Sequence, residues 1–429
     1  MVVCSSHAWN NDCNCRLRRG RVDSADGMCL LEPRTFMNGL KRLGVWMRDF
    51  WLIVGNTLLF FLVLELGLGC MFAIRDKLHS AEDLMQADSS WYPTYARESH
   101  SAHELTWHPY VYWRRSPFKG ETINVDANGI RSTVRCKVPV GKKPVKIFMF
   151  GGSTMWGTGA RDAYTIPSLL VKDLQAQDIA AEVTNFGETG YVNTHSLITL
   201  MLQLRQHNVP DLVIFYDGVN DTFSAYQQNR AGIPQNEFNR VREFNLSRED
   251  QSGRAVRLVV AKIARKLSTG RLARAILHRT GRVRDAYELS SVIPSASTSS
   301  DWDALAQAVV DTYAGNLELV KTLSERYGFR YQFYWQPTIF DKRSLAGREA
   351  TYRERKRALE PFFERTNQVV RQLRLEDEYP FRDLSRVFAD EKAPVYLDWV
   401  HLSESGNELV AKEMLVDVLR AMQARQGQS

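Results

Sequence analysis

Five short apolar runs recur along the second two thirds of the chain, and longer segments with helical periodicity separate them. A strand in a parallel sheet is buried on both faces, so its sequence is continuously apolar and does not alternate. Runs of this kind between helices predict a parallel sheet that is covered by helices on both faces, a three-layer α/β/α arrangement. The predicted strands are Val145–Phe150, Glu182–Phe186, Asp211–Tyr216, Phe329–Trp335 and Phe381–Leu384.

A longer apolar run, Trp51–Ile74, lies near the N-terminus and is the only one long enough to cross a membrane. About 24 residues at a rise of about 1.5 Å span a hydrocarbon core of roughly 30 Å with some tilt. Basic residues precede the run at Lys41, Arg42 and Arg48, so the positive-inside rule favours a cytoplasmic N-terminus. We therefore expect a single-pass membrane protein whose remaining residues are extracytoplasmic, which in a bacterium means periplasmic.

The arginine-rich stretch before this run, residues 1–50, lacks periodic apolar positions and is expected to form a basic cytoplasmic tail without a packed domain. Met37 is an alternative start, so residues 1–36 are interpreted as an upstream extension whose translation stays open. With that start, a cleaved signal peptide competes with a retained anchor. The run is long for a signal peptide and has no clear Ala-x-Ala site, so the anchor is preferred.

The first predicted strand ends on two glycines and a serine, Gly151-Gly152-Ser153, before helical sequence resumes near Thr165. Ligands of open α/β sheets bind at such strand ends. A phosphate loop is excluded, because Thr158 stands where its lysine belongs, and the glycine spacing of a dinucleotide-binding turn is also absent. A serine held at a sheet edge beside small residues instead indicates a nucleophile.

Three later stretches strengthen this interpretation. They are the strand ends Val183–Gly190 and Leu212–Asp221 and the pair Asp398-x-x-His401 before the last helix. In this order, with the serine turn, they resemble the four blocks of the SGNH, or GDSL-like, hydrolase family, over roughly Lys146 to Leu419. The resemblance implies a flavodoxin-like sheet and ester hydrolysis. The residues before the first strand resemble, more loosely, those of membrane-anchored SGNH proteins associated with bacterial cell-surface polysaccharides.

Ester cleavage at neutral pH needs an activated nucleophile, a base and donors for the developing oxyanion. Ser153 is the predicted nucleophile and His401 the predicted base. Asp398, three residues before the histidine, is expected to orient the imidazole and stabilise its protonated form.

The family resemblance implies an oxyanion hole formed by the amide of Ser153, a glycine amide of the second block and the side chain of Asn220. The glycine is assigned as Gly190, with Gly187 as the alternative. One departure from the family pattern concerns Gly152, which stands where the familiar Gly-Asp-Ser motif has its aspartate. The local support of the nucleophile is therefore left open.

Residues 75–143 form a lead-in segment between the apolar run and the first strand. It is rich in tryptophan and tyrosine. These residues are expected to pack on the main domain or to lie at a membrane interface, and the alternative is that they stack on sugars. A turn is predicted at Asn128-Gly129. The aromatic residues are Trp91, Tyr92, Tyr95, Trp107, Tyr110, Tyr112 and Trp113.

The main domain comprises residues 144–429. An insertion at about residues 227–300 separates its third and fourth strands. It carries many arginines, and Val256, Val259, Ile263 and Leu267 recur at helical spacing, which predicts a basic amphipathic helix or helix pair. Such a face is either simply solvated or binds an anionic lipid surface or acidic glycan. A location outside the cytoplasm argues against nucleic acid as the partner.

Composition adds few constraints. The 429 residues are 44% hydrophobic and 24% charged, with a net charge of +7, as expected of a folded protein. Of the six cysteines only Cys136 lies beyond the apolar run, so the main domain can form no internal disulfide. The cysteine and histidine spacings do not indicate a metal site, and no cofactor is expected.

These observations predict a membrane-anchored serine esterase that removes acetyl or other small acyl groups from a cell-envelope carbohydrate. Two alternatives stay open. In an O-acyltransferase a sugar hydroxyl of an envelope polysaccharide would replace water as the acceptor. A non-catalytic glycan-binding or assembly protein would keep the fold, although the intact Ser153, Asn220, Asp398 and His401 argue against it.

Overall fold

The computed structural model describes residues 33–82, 89–141, 143–238, 240–241, 267–279 and 299–426. The expectations for residues 1–32, for the helical repeat around Val256 to Ile263 and for most of the loop 290–300 lie outside these ranges. The chain divides into two compact units, residues 1–67 and 68–429.

Helix α1, Pro33–Glu82, contains the predicted apolar run and extends beyond it at both ends. The flanking sequence is rich in Leu, Met, Lys and Arg, which favour the helical state, so the helix does not stop where the apolar run stops. Within the described residues, this is the one helix with the length and hydropathy needed to cross a membrane, over Lys41–Arg75. Signal sequences near an N-terminus share these properties.

The main sheet has five parallel strands in the order β6-β5-β7-β8-β9. Every predicted strand is confirmed to within one residue at each end. The strands are β5 (Val145–Gly151), β6 (Ala181–Asn185), β7 (Leu212–Asp217), β8 (Arg330–Trp335) and β9 (Phe381–Asp383).

A row of phenylalanines crosses the sheet at one level and explains its register. Phe150, Phe215, Phe333 and Phe381 are paired from strand to strand. The rings of Phe215 and Phe333 stack with their centroids 4.3 Å apart. Because a shift of one residue would move these rings to the opposite face, their packing fixes the alignment of the strand ends that form the site.

Helices cover both faces of the sheet, as the continuous apolar strands predicted. Neighbouring residues of β8 point to opposite faces: Phe333 packs against Tyr313, whereas Tyr334 donates a hydrogen bond to Asp417 at 3.2 Å. The α-helices in the described part of this domain are α3 (Ser153–Trp156), α4 (Ile166–Ala176), α5 (Asn193–Arg205), α6 (Val219–Gln228), α7 (Ser268–Arg279), α8 (Ser299–Tyr327), α9 (Glu349–Arg355), α10 (Glu360–Leu373) and α11 (Glu404–Gln426).

The lead-in segment folds against the main domain. It contains α2 (Tyr92–Ala102), the hairpin β1 (Leu105–His108) and β2 (Tyr112–Arg115), and the short pair β3 (Phe118–Lys119) and β4 (Asn124–Val125). A single antiparallel bridge joins Arg131 to Asn185 at the end of β6. The predicted turn at Asn128-Gly129 is present, with the Asp126 carboxylate accepting hydrogen bonds from the amides of residues 128 and 130.

The aromatic residues of the lead-in divide between buried and exposed positions. Tyr95 and Trp113 are buried in the domain, which confirms packing for these two side chains. Trp107 and Tyr110 are 72% and 67% exposed on the hairpin. The segment is therefore part of the folded domain and also presents two aromatic rings at its surface.

Of the basic insertion, the structure describes its first residues and helix α7. The guanidinium group of Arg271 lies 4.5 Å above the ring of Phe72, which belongs to the last part of α1. This arginine is thus engaged in a cation–π contact and is not simply solvated.

Candidate active site

Ser153 is the first residue of α3 and follows β5 directly. The turn is closed by hydrogen bonds of 3.0 Å from the Gly157 and Thr158 amides to the Ser153 carbonyl. Since the first amides of a helix have no acceptor within it, the amide of Ser153 is available to a ligand. The predicted nucleophile therefore sits at the carboxyl edge of the sheet with its backbone donor free of intrahelical bonding.

Asp398 and His401 lie in the loop before α11, and His401 contacts Ser153. The Ser153 hydroxyl is 2.7 Å from Nε2 of His401, and Nδ1 of the same ring is 2.6 Å from Oδ2 of Asp398. The other carboxylate oxygen accepts hydrogen bonds from the amides of Val400 at 2.8 Å and His401 at 2.7 Å. The three predicted catalytic side chains thus form one continuous chain of hydrogen bonds.

These contacts set the protonation preferences of the pair. Burial favours the neutral acid, but the charge and ring N–H of His401 and two backbone amides outweigh it, so the pKa of Asp398 is lower than usual. Burial also opposes the charged imidazole, yet the Asp398 carboxylate prevails and raises the pKa of His401 above its ordinary value of 6.5. The arrangement favours an ionised aspartate and strengthens the histidine as a base.

Asn220 is the second residue of α6 and approaches the serine turn from β7. Its Nδ2 donates to the Tyr191 carbonyl at 2.7 Å, and its Oδ1 accepts from Nε2 of Gln235 at 2.9 Å. A side chain at Gly152 would collide with this amide nitrogen. The amide of Asn220 therefore lies beside the turn that carries Ser153.

The two candidate glycines of the second block differ in their bonding. The amide of Gly187 donates to Oδ1 of Asn185 at 3.0 Å, so this N–H is already used. Gly190 has φ of +74°, a conformation that favours glycine, and precedes Tyr191, whose carbonyl lies near Gly152. Within the described part of the chain, the Gly190 amide has no hydrogen-bond acceptor, so the geometry favours Gly190 over Gly187.

Two buried arginines of the lead-in, which the sequence did not single out, support the serine turn from behind. Arg115 and Arg131 each place a guanidinium group 4.3 Å from the ring of Trp156, the last residue of α3. Arg131 also donates to the carbonyls of Trp156 at 3.1 Å and of Gly157 at 2.6 Å. Nothing in a single sequence distinguishes such an arginine from a solvated one, because its partners lie far along the chain.

Arg115 also binds the loop that carries Gly190. Its Nε donates to Oε1 of Glu188 at 3.0 Å, and both side chains are almost wholly buried, with 1% and 0% exposure. A further guanidinium N–H donates to the hydroxyl of Thr189, and the backbone amide of Arg115 donates to Oε2 of Glu188 at 3.1 Å. The lead-in thus holds two of the loops that converge on the site.

Among the residues that the structure describes, no three His, Cys, Asp or Glu side chains gather in a way that could hold a metal ion. The groups that converge on Ser153 are a base with its carboxylate partner and two candidate N–H donors. Such an arrangement can deprotonate a hydroxyl and stabilise a tetrahedral oxyanion.

Comparison with known proteins gives one match to a protein family. Residues 147–414, more than half of the chain, match the family model described as GDSL-like Lipase/Acylhydrolase. No curated protein matches the chain in a sequence search.

Several solved structures resemble the fold at low identity. An acetyl xylan esterase, AlAXEase, is 16% identical, with 64% of this chain and 100% of that chain covered and a TM-score of 0.33. A catalytic mutant of the acetylxylan esterase Axe2 from Geobacillus stearothermophilus is 13% identical over 65% and 96% of the two chains, with a TM-score of 0.31. The lipase Lip_vut3 from a goat rumen metagenome is 12% identical over 64% and 97%, with a TM-score of 0.34. The family assignment itself depends on the match over 147–414.

Proposed function

The chain belongs to the GDSL-like lipase/acylhydrolase family, whose members are hydrolases acting on ester bonds, and on this premise we propose that it is a serine esterase that uses Ser153, His401 and Asp398. The observation that carries the proposal is the unbroken hydrogen-bond chain from the serine hydroxyl through the imidazole to the carboxylate, at 2.7 Å and 2.6 Å. A packed polar cluster without a catalytic role would not need a serine at an open sheet edge.

In the proposed reaction, Oγ of Ser153 attacks the ester carbonyl carbon while its proton passes to Nε2 of His401. The imidazolium, stabilised by Asp398, then gives this proton to the leaving alcohol oxygen as the C–O bond breaks. A water molecule next loses a proton to the same nitrogen and attacks the acyl–serine ester. The carboxylic acid leaves, and Ser153 regains its proton.

The oxyanion formed in each half-reaction would accept hydrogen bonds from the amides of Ser153 and Gly190 and from Nδ2 of Asn220. These donors come from the ends of β5, β6 and β7, which the sheet aligns at one edge. Donors that are fixed before the reaction stabilise the developing charge without reorganisation. Gly190, and not Gly187, is assigned here because its N–H is the one without an internal acceptor.

For the substrate, we propose a short acyl ester, acetyl first, on a cell-envelope carbohydrate. The Trp113 ring lies beside the Gly190 loop, because a Cβ on Gly190 would be 3.4 Å from it. The hairpin that carries Trp113 also presents the exposed rings of Trp107 and Tyr110. Exposed aromatic rings on a hairpin that lies beside the Gly190 loop support a sugar-stacking surface for the alcohol portion of the ester.

The test uses full-length protein in detergent with p-nitrophenyl esters of increasing acyl length and with acetylated oligosaccharides. Release of acetate by the wild type and its loss in Ser153→Ala would support the esterase, and preference for acetyl over longer chains would support the acyl assignment. Transfer of acetyl to an added sugar acceptor in place of release would indicate the transferase instead. Absence of both, with a folded protein, would overturn the proposal.

We further propose that α1 is a retained anchor with its N-terminus in the cytoplasm, so that the esterase domain is periplasmic. The apolar span and the preceding Lys41, Arg42 and Arg48 support this orientation. Alkaline phosphatase fused after Ser429 should then be active, and the protein should stay in the membrane fraction through a high-salt wash. An inactive fusion at normal expression would place the domain in the cytoplasm and remove the envelope substrate with it.

A further inference from the structure

The chain returns to the site immediately after α6. This helix ends at Gln228, and the carbonyl of Ile233 then accepts a hydrogen bond from the Ser224 hydroxyl at 2.6 Å. The contact turns the chain back along the helix, and Gln235 reaches the start of α6. There its Nε2 donates to Oδ1 of Asn220 at 2.9 Å.

A carboxamide such as that of Asn220 has two orientations of nearly the same shape, with its nitrogen and oxygen exchanged. Only one of them suits a group that must donate to an oxyanion. In the structure, Nδ2 donates to the Tyr191 carbonyl and Oδ1 accepts from Gln235, so both polar atoms of the amide are bonded in this orientation. In the exchanged orientation, oxygen would face the Tyr191 carbonyl oxygen, and two NH₂ groups would face each other unless the Gln235 amide rotated as well.

Gln235 also lies close to the Gly190 loop. Its Oε1 is 3.3 Å from the position that a Cβ on Gly190 would occupy. Its own backbone is held by Arg240, which donates to the Gln235 carbonyl at 2.8 Å and lies 4.1 Å above the ring of Trp113. The Gln235 side chain is therefore bonded to Asn220 and close to the Gly190 loop, and Arg240 links its backbone to the lead-in.

We propose that Gln235 is a positioning residue of the oxyanion hole, which acts by fixing the amide orientation of Asn220. The inference rests on the proposed function, because it assigns the residue to the stabilisation of the same transition state. Gln235 touches the donors and not the reacting atoms. Its loss should therefore lower kcat and leave KM nearly unchanged, since substrate binding before charge develops does not use the aligned N–H.

The variants Gln235→Ala, Gln235→Met and Gln235→Glu separate this role from simple packing. Alanine and methionine should each lower kcat about tenfold, because Asn220 keeps its contact to Tyr191 and samples the wrong orientation only part of the time. Glutamate has the shape of glutamine, but its carboxylate can only accept a hydrogen bond. It should therefore attract Nδ2 of Asn220 away from the site and lower kcat by about a hundredfold.

A double variant provides the second measurement. If Gln235 acts through Asn220 alone, Asn220→Ala combined with Gln235→Ala should be no slower than Asn220→Ala by itself. Melting temperatures of all variants show whether the protein stays folded, and the rate of fluorophosphonate labelling at Ser153 follows the nucleophile without an ester substrate.

Multiplicative effects in the double variant, or a Gln235→Glu enzyme faster than Gln235→Ala, would overturn the inference and indicate a packing role. These outcomes differ from a failure of the proposed function. If the proposed function is wrong, Ser153→Ala and Asn220→Ala will themselves leave hydrolysis and labelling unchanged. The role assigned to Gln235 would then be wrong as well.

Discussion

The side-chain amide of Asn220 occupies the space that a side chain at position 152 would need. A Cβ added to Gly152 would overlap Nδ2 of Asn220. The sequence left the support of Ser153 open at this point, because a glycine replaces the aspartate of the familiar motif. In this protein the glycine allows the amide to approach the serine turn directly.

Gly152→Ala should therefore displace Asn220 from the nucleophile. We expect kcat to fall by about tenfold to a hundredfold, since one oxyanion donor is moved and not removed. The backbone at Gly152 is extended, with φ of −82°, so alanine causes no backbone strain. The displaced amide loses its hydrogen bonds to Tyr191 and Gln235, so the melting temperature should fall by a few degrees. Steady-state kinetics and thermal unfolding measure the two effects.

Gly315→Ala is the matched control, because a Cβ at this position in α8 meets no atom within 4 Å. It should keep full activity and stabilise the helix by up to about 1 kcal/mol. A Gly152→Ala enzyme as active as this control would show that Asn220 does not need its observed position.

Asn220→Ala should lower kcat by roughly 10²–10³-fold with a smaller change in KM, as the loss of one oxyanion donor usually does. Its neighbour Asp221 accepts hydrogen bonds from the amides of Gly218 and Asn193 and holds the turn, so the local fold should persist. Turnover equal to the wild type would reduce Asn220 to a structural residue at the start of α6.

The pH dependence should report the His401–Asp398 pair. The base must be neutral to accept the serine proton, and Asp398 raises its pKa above 6.5, so kcat/KM should fall as the pH drops through that raised value. Asp398→Asn removes the charge that favours the imidazolium. The acid limb should then move to lower pH, and the plateau rate should fall by about 10²-fold or more.

The measurement is kcat/KM for p-nitrophenyl acetate across the pH range, corrected for spontaneous hydrolysis at each pH. An acid limb at the same pH in both enzymes would contradict the electrostatic role of Asp398. A rate without any acid limb would mean that His401 is not the base.

The buried pair Arg115 and Glu188 should be important for stability. Glu188→Leu leaves a buried guanidinium group without its carboxylate, which costs about 3–5 kcal/mol of unfolding free energy. The paired change Arg115→Met with Glu188→Leu removes both charges and should cost less than the sum of the single changes. Denaturant unfolding of the four proteins measures the coupling, and additive costs would show that the pair is not coupled.

The sequence predicted the sheet well because its inner strands β5 and β7 are continuous apolar runs and end in small or polar residues. The same strand ends placed Ser153 and Asn220 at one edge, and the family resemblance added Gly190. Arg131 and Gln235 could not be predicted. They are polar residues of irregular segments, and they become buried or positioned only through contacts with distant parts of the chain.

The start of α1 shows a second limit of prediction from the sequence. The apolar run located the candidate span near Trp51, but the helix begins at Pro33, where the sequence is basic and polar. Hydropathy predicts which segment is buried in an apolar medium. Helix formation also depends on intrinsic helix propensity, which is high for lysine, arginine, leucine and methionine.

The hydrogen bond between Ser153 and His401 joins residues that are 248 positions apart. A chain emerging from the ribosome at about 5–20 residues per second exposes Ser153 for roughly 12–50 seconds before the histidine is made. Without its base, a serine hydroxyl is a weak nucleophile. With the proposed catalytic roles, the order of synthesis keeps the nascent chain inactive towards esters that it meets before the last loop closes the site.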